Sequence, residues 1–390
     1  MPGHRPCFGR FHALGTSMAD ALVPKDPTAV GAALIPENAV LERWAQAASE
    51  VERSLSQSLV VAFLGSASSG KDSAVRALFG IDFGQVDPIP GSTETLQVSA
   101  LDHDQRVLVV NAPGFGDVRS HVDARARAVL DQLDLAVYLV NCDGGASIDE
   151  RRDLDAIRAL GRPTLVCLNK IDLIRPHQRD QFVATTLTQL GVSVDDAVVC
   201  AFDPMPAIAE EPIGVAPVIA WIHRHLDDEG KSLLFAKYVR NRRAACEAII
   251  QTAARRAALA GAMPVPGADI TAVTAIQVKM ITDLAAVHNQ KVGKDIVLFI
   301  IGEALAGSSK GFIRWGVGAL KAAGWIPGGQ FAHVATSALG ATVSGATTYG
   351  VGAAAVHYIE QQGKISGAEL REVFDAEAFE YSRAKKEGDA

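Results

Sequence analysis

Three things are scarce in this chain, and each absence narrows its function. Positive charge is in deficit: 37 Lys and Arg stand against 44 Asp and Glu, a net charge of −7. No global basic field therefore points to a nucleic-acid partner. Cysteine is sparse and badly placed for metal. Cys7, Cys142, Cys167, Cys200 and Cys246 are odd in number and lack ligand spacing, which fits reduced core thiols in a cytoplasmic protein. An apolar leader is missing from the N-terminus, so no secretory signal is expected. Residues 1–35, rich in Gly, Pro and Ala without periodicity, read as a flexible tail.

A fourth absence is local. Phe331 to Ile359 contains no Asp, Glu, Lys or Arg. The run is long enough to cross a bilayer, yet it is built of Ala, Gly, Thr, Ser and Val. Ala338, Thr342, Ala346, Gly350 and Ala354 form a ladder of small residues at intervals of four. Such a ladder permits close helix–helix approach in a membrane or in a tight bundle. Both readings stay open: a buried helix or hairpin, or membrane insertion.

What the chain does contain begins with Leu59-Val-Val-Ala-Phe-Leu64, an apolar run with the composition of a buried parallel strand. Gly65-Ser-Ala-Ser-Ser-Gly70-Lys71 follows, and then Asp72 and a helical pattern over Ser73–Phe79. Strand, Gly-rich loop and helix is the context of a phosphate loop. Glycine lets backbone N–H groups curl inward, the helix N-terminus adds partial positive charge, and Lys71 adds a full one. Gly65, Ser68, Ser69, Gly70, Lys71, Asp72 and Ser73 are therefore candidate nucleotide-binding residues.

Arg162-Pro-Thr-Leu-Val-Cys-Leu168 is a second apolar strand, and Asn169-Lys170-Ile171-Asp172 stands at its end. Ligands of doubly wound sheets bind at the carboxyl ends of strands. A carboxylate there can accept two hydrogen bonds, from N1–H and the N2 amino group of guanine, a donor pair that adenine lacks. Rejection of the wrong base by roughly 10⁴-fold follows when such polar groups would be left unpaired. Asn169 is expected to tie the segment to the phosphate loop, with Lys170 over the base plane.

A third strand, Val107-Leu-Val-Val110, ends at Asn111-Ala-Pro-Gly114-Phe115-Gly-Asp117, and upstream lies Pro88-Ile-Pro-Gly-Ser-Thr93-Glu-Thr95. With these motifs, Ser58 to Leu226 resembles the translation-factor-class GTPases, within the Era-like and dynamin-like group. The resemblance implies a Mg²⁺-dependent GTP hydrolase on a doubly wound α/β sheet, with GTP or GDP as ligand. It also implies that Gly114 meets the γ-phosphate, that Thr93 (or Thr95) closes over Mg²⁺, and that Ala201 stands where a loop backs the guanine.

Three departures qualify the resemblance. Asp72 replaces the Ser or Thr whose hydroxyl ligates Mg²⁺, and Asn111 replaces the Asp that holds Mg²⁺ through water. The carboxylate has moved from one segment to the other, which suggests a compensated site of Asp72, Thr93 and Asn111; the alternative is a degraded site in a nucleotide-binding scaffold. Phe115 stands where many GTPases place a Gln to orient water. Ser68 and Thr93 are the catalytic candidates, no general base can be named, and slow turnover raised by self-association through the G domain or by a partner is expected.

The second half changes character. Leu41, Trp44, Ala48, Val51 and Leu55 mark an amphipathic helix before the first strand, and residues 230–260 read as one long helix carrying seven Lys and Arg. This basic run suits a solvated face, the G domain or acidic phospholipid heads. Further helices are expected near 270–287, 293–306, 310–323 and 367–386. The breaks Pro264-Val-Pro-Gly-Ala-Asp-Ile270 and Ile326-Pro-Gly-Gly329, with Ala346-Thr-Thr-Tyr-Gly350, resemble a bacterial family in which an Era-like GTPase precedes an apolar α-helical domain of unknown function, often membrane-linked. The expected division is a tail (1–35), a bracing helix (36–57), a G domain (58–228) and an all-α domain (229–386). The protein would act as a GTP-dependent switch in the cytoplasm or at the cytoplasmic face of the inner membrane. A ribosome or RNA assembly role ranks lower, for want of a recognisable RNA-binding module and of positive charge.

Overall fold

The computed structural model describes residues 37–82, 97–112, 131–227, 230–262, 268–304 and 332–388. Thr93, Thr95, Gly114, Phe115, the 1–35 tail and the helix expected near 310–323 lie outside the described residues. The chain divides into two compact units, residues 51–249 and residues 1–50 with 250–390.

The first unit is a six-stranded sheet in the order β2-β3-β1-β4-β5-β6. Its strands are β1 (Leu59–Gly65), β2 (Gln97–Ala100), β3 (Val107–Asn111), β4 (Leu135–Asn141), β5 (Thr164–Asn169) and β6 (Ala197–Val199). All neighbours pair in parallel except β2, which runs antiparallel on β3. Every residue of β1 is buried, as its unbroken apolar sequence requires of a central strand covered on both faces. Helices α2 (Lys71–Phe79), α3 (Ile148–Arg158), α4 (Arg179–Leu190) and α5 (Val215–Asp227) supply the cover. On one face Leu154, Ile157, Leu187 and Leu190 close over Val60, Ala62, Tyr138 and Val166. This is the doubly wound fold expected from the alternation of apolar strands and helices.

Residues 230–260 do not form one helix. They form α6 (Ser232–Tyr238) and α7 (Arg242–Gly261). Val239 turns extended at the end of α6, and the Asn241 side chain accepts the N–H of Ala244, starting a new helix with a side-chain cap. The break lets α6 dock on the sheet. Phe63 of β1, Phe79 of α2 and Phe235 of α6 meet edge to face at 6.1 and 6.0 Å. Just before α6, Lys231 Nζ reaches Asp134 Oδ1, whose partner oxygen accepts the Val60 N–H at 2.8 Å. The foot of β1 is thereby held by a paired, largely buried charge.

The second unit is helical, and the division falls inside α1 (Glu37–Leu55) and α7. Its other helices are α8 (Ala268–Val287), residues 294–304, α9 (Ala332–Glu360) and α10 (Gly367–Gly388). From α1, Trp44 Nε1 donates to the Val292 carbonyl at 3.1 Å. The charge-free stretch is one continuous helix, α9, rather than a hairpin. Among the described residues no helix is long and apolar enough to cross a membrane.

Glycine inside α9 costs about 1 kcal/mol each in helix propensity, and close packing offsets it. A Cβ on Gly340 would lie 2.2 Å from the Gly261 carbonyl oxygen, and one on Gly352 would lie 2.7 Å from Ile250 Cγ1. Gly350 faces α10, where a Cβ would meet Phe374 Cδ2 at 2.8 Å and the Phe374 carbonyl oxygen at 2.9 Å. Gly350→Ala should therefore destabilise the helical unit by up to about 2 kcal/mol, overpacking of roughly 1–3 kcal/mol outweighing the gain of about 1 kcal/mol in helix propensity. Urea unfolding followed by circular dichroism checks the sign.

Candidate nucleotide site

The carboxyl ends of β1, β4 and β5 lie together, because Gly65 pairs with Leu139 and Asn141 with Asn169. The phosphate loop leaves β1 there. Gly65 is at φ 143°, and a Cβ on it would lie 2.4 Å from the Leu139 carbonyl oxygen. Ser68 adopts φ 60° at the exposed tip of the loop, and Gly70, at φ 92°, caps α2. Lys71 Nζ donates to the carbonyls of Gly65 and Ser66 at 3.0 and 2.9 Å. Burial pushes its pKa below the ordinary lysine value, while Asp72 beside it pulls the other way.

Asn169 binds three segments to one another. Its Nδ2 donates to the Ser69 carbonyl at 2.8 Å, and its Oδ1 accepts the Phe202 N–H at 3.1 Å. Gly70 is the residue that permits this approach, since a Cβ there would sit 2.2 Å from Asn169 Nδ2. Lys170 takes a left-handed φ of 65° and starts the single 3₁₀ turn Ile171–Leu173 that carries Asp172. Asp172 is only 7% exposed. Its Oδ2 accepts the Met205 N–H at 3.0 Å, while the buried Oδ1 has no hydrogen-bond partner among the described residues.

Ala201 is buried next to this group, with its N–H committed to the Ile213 carbonyl at 3.1 Å. The Phe202 N–H is taken by Asn169. Neither amide is left to donate to a base. Cys142, Cys167 and Cys200 are all buried; burial pushes the Cys142 thiol up to about 12 and the Cys200 thiol well above its ordinary value. Those two thiols stay protonated, as expected of core packing.

The two departures from the usual metal site meet directly. Asn111 Nδ2 donates to Asp72 Oδ1 at 2.6 Å and to Gln97 Oε1 at 3.0 Å. Asn111 is 7% exposed, and its Oδ1 is buried with no partner among the described residues. Ser73 follows Asp72 in the first turn of α2. The orphan amide oxygen and the neighbouring carboxylate are hard oxygen donors of the kind Mg²⁺ takes, so the residues present fit such a cation.

Two further contributors escape the motif reading. Gln97 was hidden because its partner lies across a strand pair. Glu150 carried a signal, the Ser147-x-x-Glu150 capping box at the start of α3. Glu150 Oε2 accepts the Ser147 N–H, and Oε1 accepts the hydroxyl of Ser66 in the phosphate loop at 3.2 Å. Glu150→Ala should lower GDP affinity about three- to tenfold, the scale of one net hydrogen bond. Ser147→Ala, which leaves Glu150 on Ser66, should cost about 1 kcal/mol of stability and little affinity. Fluorescent-GDP titration and thermal melts of both variants separate the effects.

Comparison with known proteins points the same way. Residues 60–170 match the family model described as 50S ribosome-binding GTPase. Residues 225–378 match Domain of unknown function (DUF697). GTPase Der of Agathobacter rectalis is 24% identical over 178 residues, 44% of this chain and 38% of that protein. GTPase Der of Stenotrophomonas maltophilia is 32% identical over 119 residues, 29% of this chain and 26% of that protein. The probable GTP-binding protein EngB of Gemmatimonas aurantiaca is 26% identical over 148 residues, 35% of this chain and 72% of that protein. The chain thus spans well under half the length of the GTPase Der relatives it matches. Among solved structures, a probable GTP-binding protein engB aligns at TM-score 0.33 and 17% identity, over 43% of this chain and 99% of that one. Era in complex with MgGDPNP and a 16S ribosomal RNA segment aligns at TM-score 0.30 and 17% identity, over 51% and 67%. Residues 60–170 are thus similar to the 50S ribosome-binding GTPase family, and residues 225–378 to the domain family DUF697.

Proposed function

We propose that this protein is a guanine-nucleotide switch that hydrolyses GTP slowly with Mg²⁺. The observation that carries the reading is Asp172. One of its oxygens is fixed by the Met205 N–H, and the other is buried and unpaired at the carboxyl end of β5. An unsatisfied buried carboxylate oxygen is costly unless a donor arrives, and the N1–H and N2 amino pair of guanine would supply donors. Lys71 is the cation for the phosphates, with Gly65, Ser68, Ser69, Gly70 and Ser73 framing the loop and Lys170 flanking the base.

Asp72 and Asn111, with Thr93, are the residues that would hold Mg²⁺. When bound, the cation would neutralise charge building on the transferring phosphoryl group. Mg²⁺ is usually held by one or two protein ligands together with waters and substrate phosphates, so the nucleotide would complete its shell. Lys71 alone leaves Asp72 repelling the phosphates, and nucleotide affinity should then depend steeply on Mg²⁺. Gly114 would meet the γ-phosphate. Slow turnover is expected because Phe115 stands in the sequence where many GTPases carry a water-orienting Gln, with Ser68 and Thr93 as the catalytic candidates. Self-association through the G domain or a partner would raise the rate.

Switching would alter how the helical domain packs or presents itself to a protein partner or an acidic membrane surface. A second reading draws on the family description: a 50S ribosomal particle as partner. Phosphate release measured alone, with acidic liposomes and with 50S particles separates these. Stimulation or GTP-dependent co-sedimentation with one of them assigns the partner. Tight GTP binding without hydrolysis under any condition would leave only a scaffold.

Wild-type protein should prefer GDP over ADP by roughly 10⁴-fold, and Asp172→Ala should abolish most of that preference. Competition of each nucleotide against fluorescent GDP measures it. In the metal site, Asp72→Ser and Asn111→Asp should each weaken Mg²⁺-dependent GDP binding, and the double variant should recover it by restoring one carboxylate and one hydroxyl. Additive losses in the double variant would sink the compensated-site reading.

A further inference from the structure

Gln97 opens β2 and stands directly across from Asn111 in the antiparallel pair. It is also the first described residue after the segment that carries Thr93 and Thr95. Its Oε1 and Asp72 Oδ1 both accept from Asn111 Nδ2. A carboxylate can only accept, so the nitrogen end of the Asn111 amide must face Asp72, and two acceptors use both of its protons. The oxygen end is then the buried Oδ1, unpartnered among the described residues. Leaving a carbonyl oxygen in that state is unfavourable, so the amide is held in one orientation against a penalty.

We propose that Gln97 is a positioning residue for the metal site, fixing the Asn111 amide so that its oxygen is presented as a ligand. The inference rests on the reading of Asp72 and Asn111 as Mg²⁺-binding residues. Asp72 cannot perform this task throughout the cycle. A carboxylate drawn toward a cation is a weaker acceptor for an amide, whereas Gln97 is not a ligand and keeps its hold. Gln97 also lies on the strand that leaves the Thr93 segment, and Asn111 ends the strand that leads to the Gly114 segment. One cross-strand hydrogen bond therefore joins a residue just after the Thr93 segment in sequence to one just before the Gly114 segment.

The test is dissociation of fluorescent GDP from the full chain across a range of free Mg²⁺, for wild type, Gln97→Leu and Gln97→Glu. Gln97→Leu should need about fivefold more Mg²⁺ for half-maximal retention, the scale of one net hydrogen bond. Its release rate in EDTA should match wild type, and its melting temperature should fall by no more than the loss of one buried hydrogen bond accounts for. Gln97→Glu, which keeps the acceptor, should need no more Mg²⁺ than wild type. A Gln97→Leu curve that superimposes on wild type, or an equal change in the EDTA rate, overturns the role of Gln97. Wild-type release that ignores Mg²⁺ altogether overturns the metal-site reading and this inference with it.

Discussion

The side chain of Asn169 is the constraint on which the rest of the site depends. One amide holds the Ser69 carbonyl of the phosphate loop and the N–H of Phe202 beyond β6. It does so from the end of a buried strand, so its position is set by the sheet and not by a flexible loop. The Gly-rich loop after β1 and the turn that carries Asp172 are thereby fixed at one spacing. Preorganisation of this kind lowers the ordering cost of binding. It also explains why Gly70 must lack a side chain: the contact needs the space that a Cβ would take.

Around that clasp the protein leaves selected polar atoms unanswered. Asp172 Oδ1, Asn111 Oδ1 and Ser69 Oγ are buried without partners among the described residues. Folded proteins rarely tolerate such groups without a reason, since each costs about 1–3 kcal/mol. They lie on the turn after β5, beside Asp72 and within the loop after β1, while Gln57 Oε1 is another such atom away from that loop. Under the proposed function, a ligand would supply the missing partners of the first three.

The helical unit follows the opposite logic. Its glycines and alanines are poor in side-chain burial, yet Gly261, Gly340, Gly350 and Gly352 allow backbones to approach where no Cβ fits. Gln277 and Thr348, both buried, satisfy each other across the α8–α9 contact at 3.3 Å. Small residues and an internal polar pair give a specific packing around α9, which has no Asp, Glu, Lys or Arg before Glu360. The DUF697 match begins at residue 225, inside the compact unit that ends at Ile249. The matched region and this unit thus overlap over the end of α5, α6 and the start of α7, and Phe235 of α6 packs edge to face on Phe79.

Local sequence determined the elements wherever its periodicity was strong. The apolar runs at Leu59 and Arg162 had to be buried parallel strands, and the glycines flanking the phosphate loop had to permit a left-handed backbone. From order and spacing alone, Asn169 was expected to tie its segment to the phosphate loop, and its Nδ2 does bond the Ser69 carbonyl. Sequence could not separate one long helix from two over 230–260, because the choice turned on whether Phe235 had an aromatic partner across the sheet. Nor could it decide between a hairpin and a single helix over Phe331–Ile359, since glycine weakens a helix in isolation and strengthens it only against a neighbour that comes close enough. The pairing of Asp72 with Asn111, the hold of Gln97 on that pair and the brace from Glu150 to Ser66 join residues 39, 14 and 84 positions apart. Contacts of that kind are fixed by strand register and helix placement, so only the tertiary structure decided them.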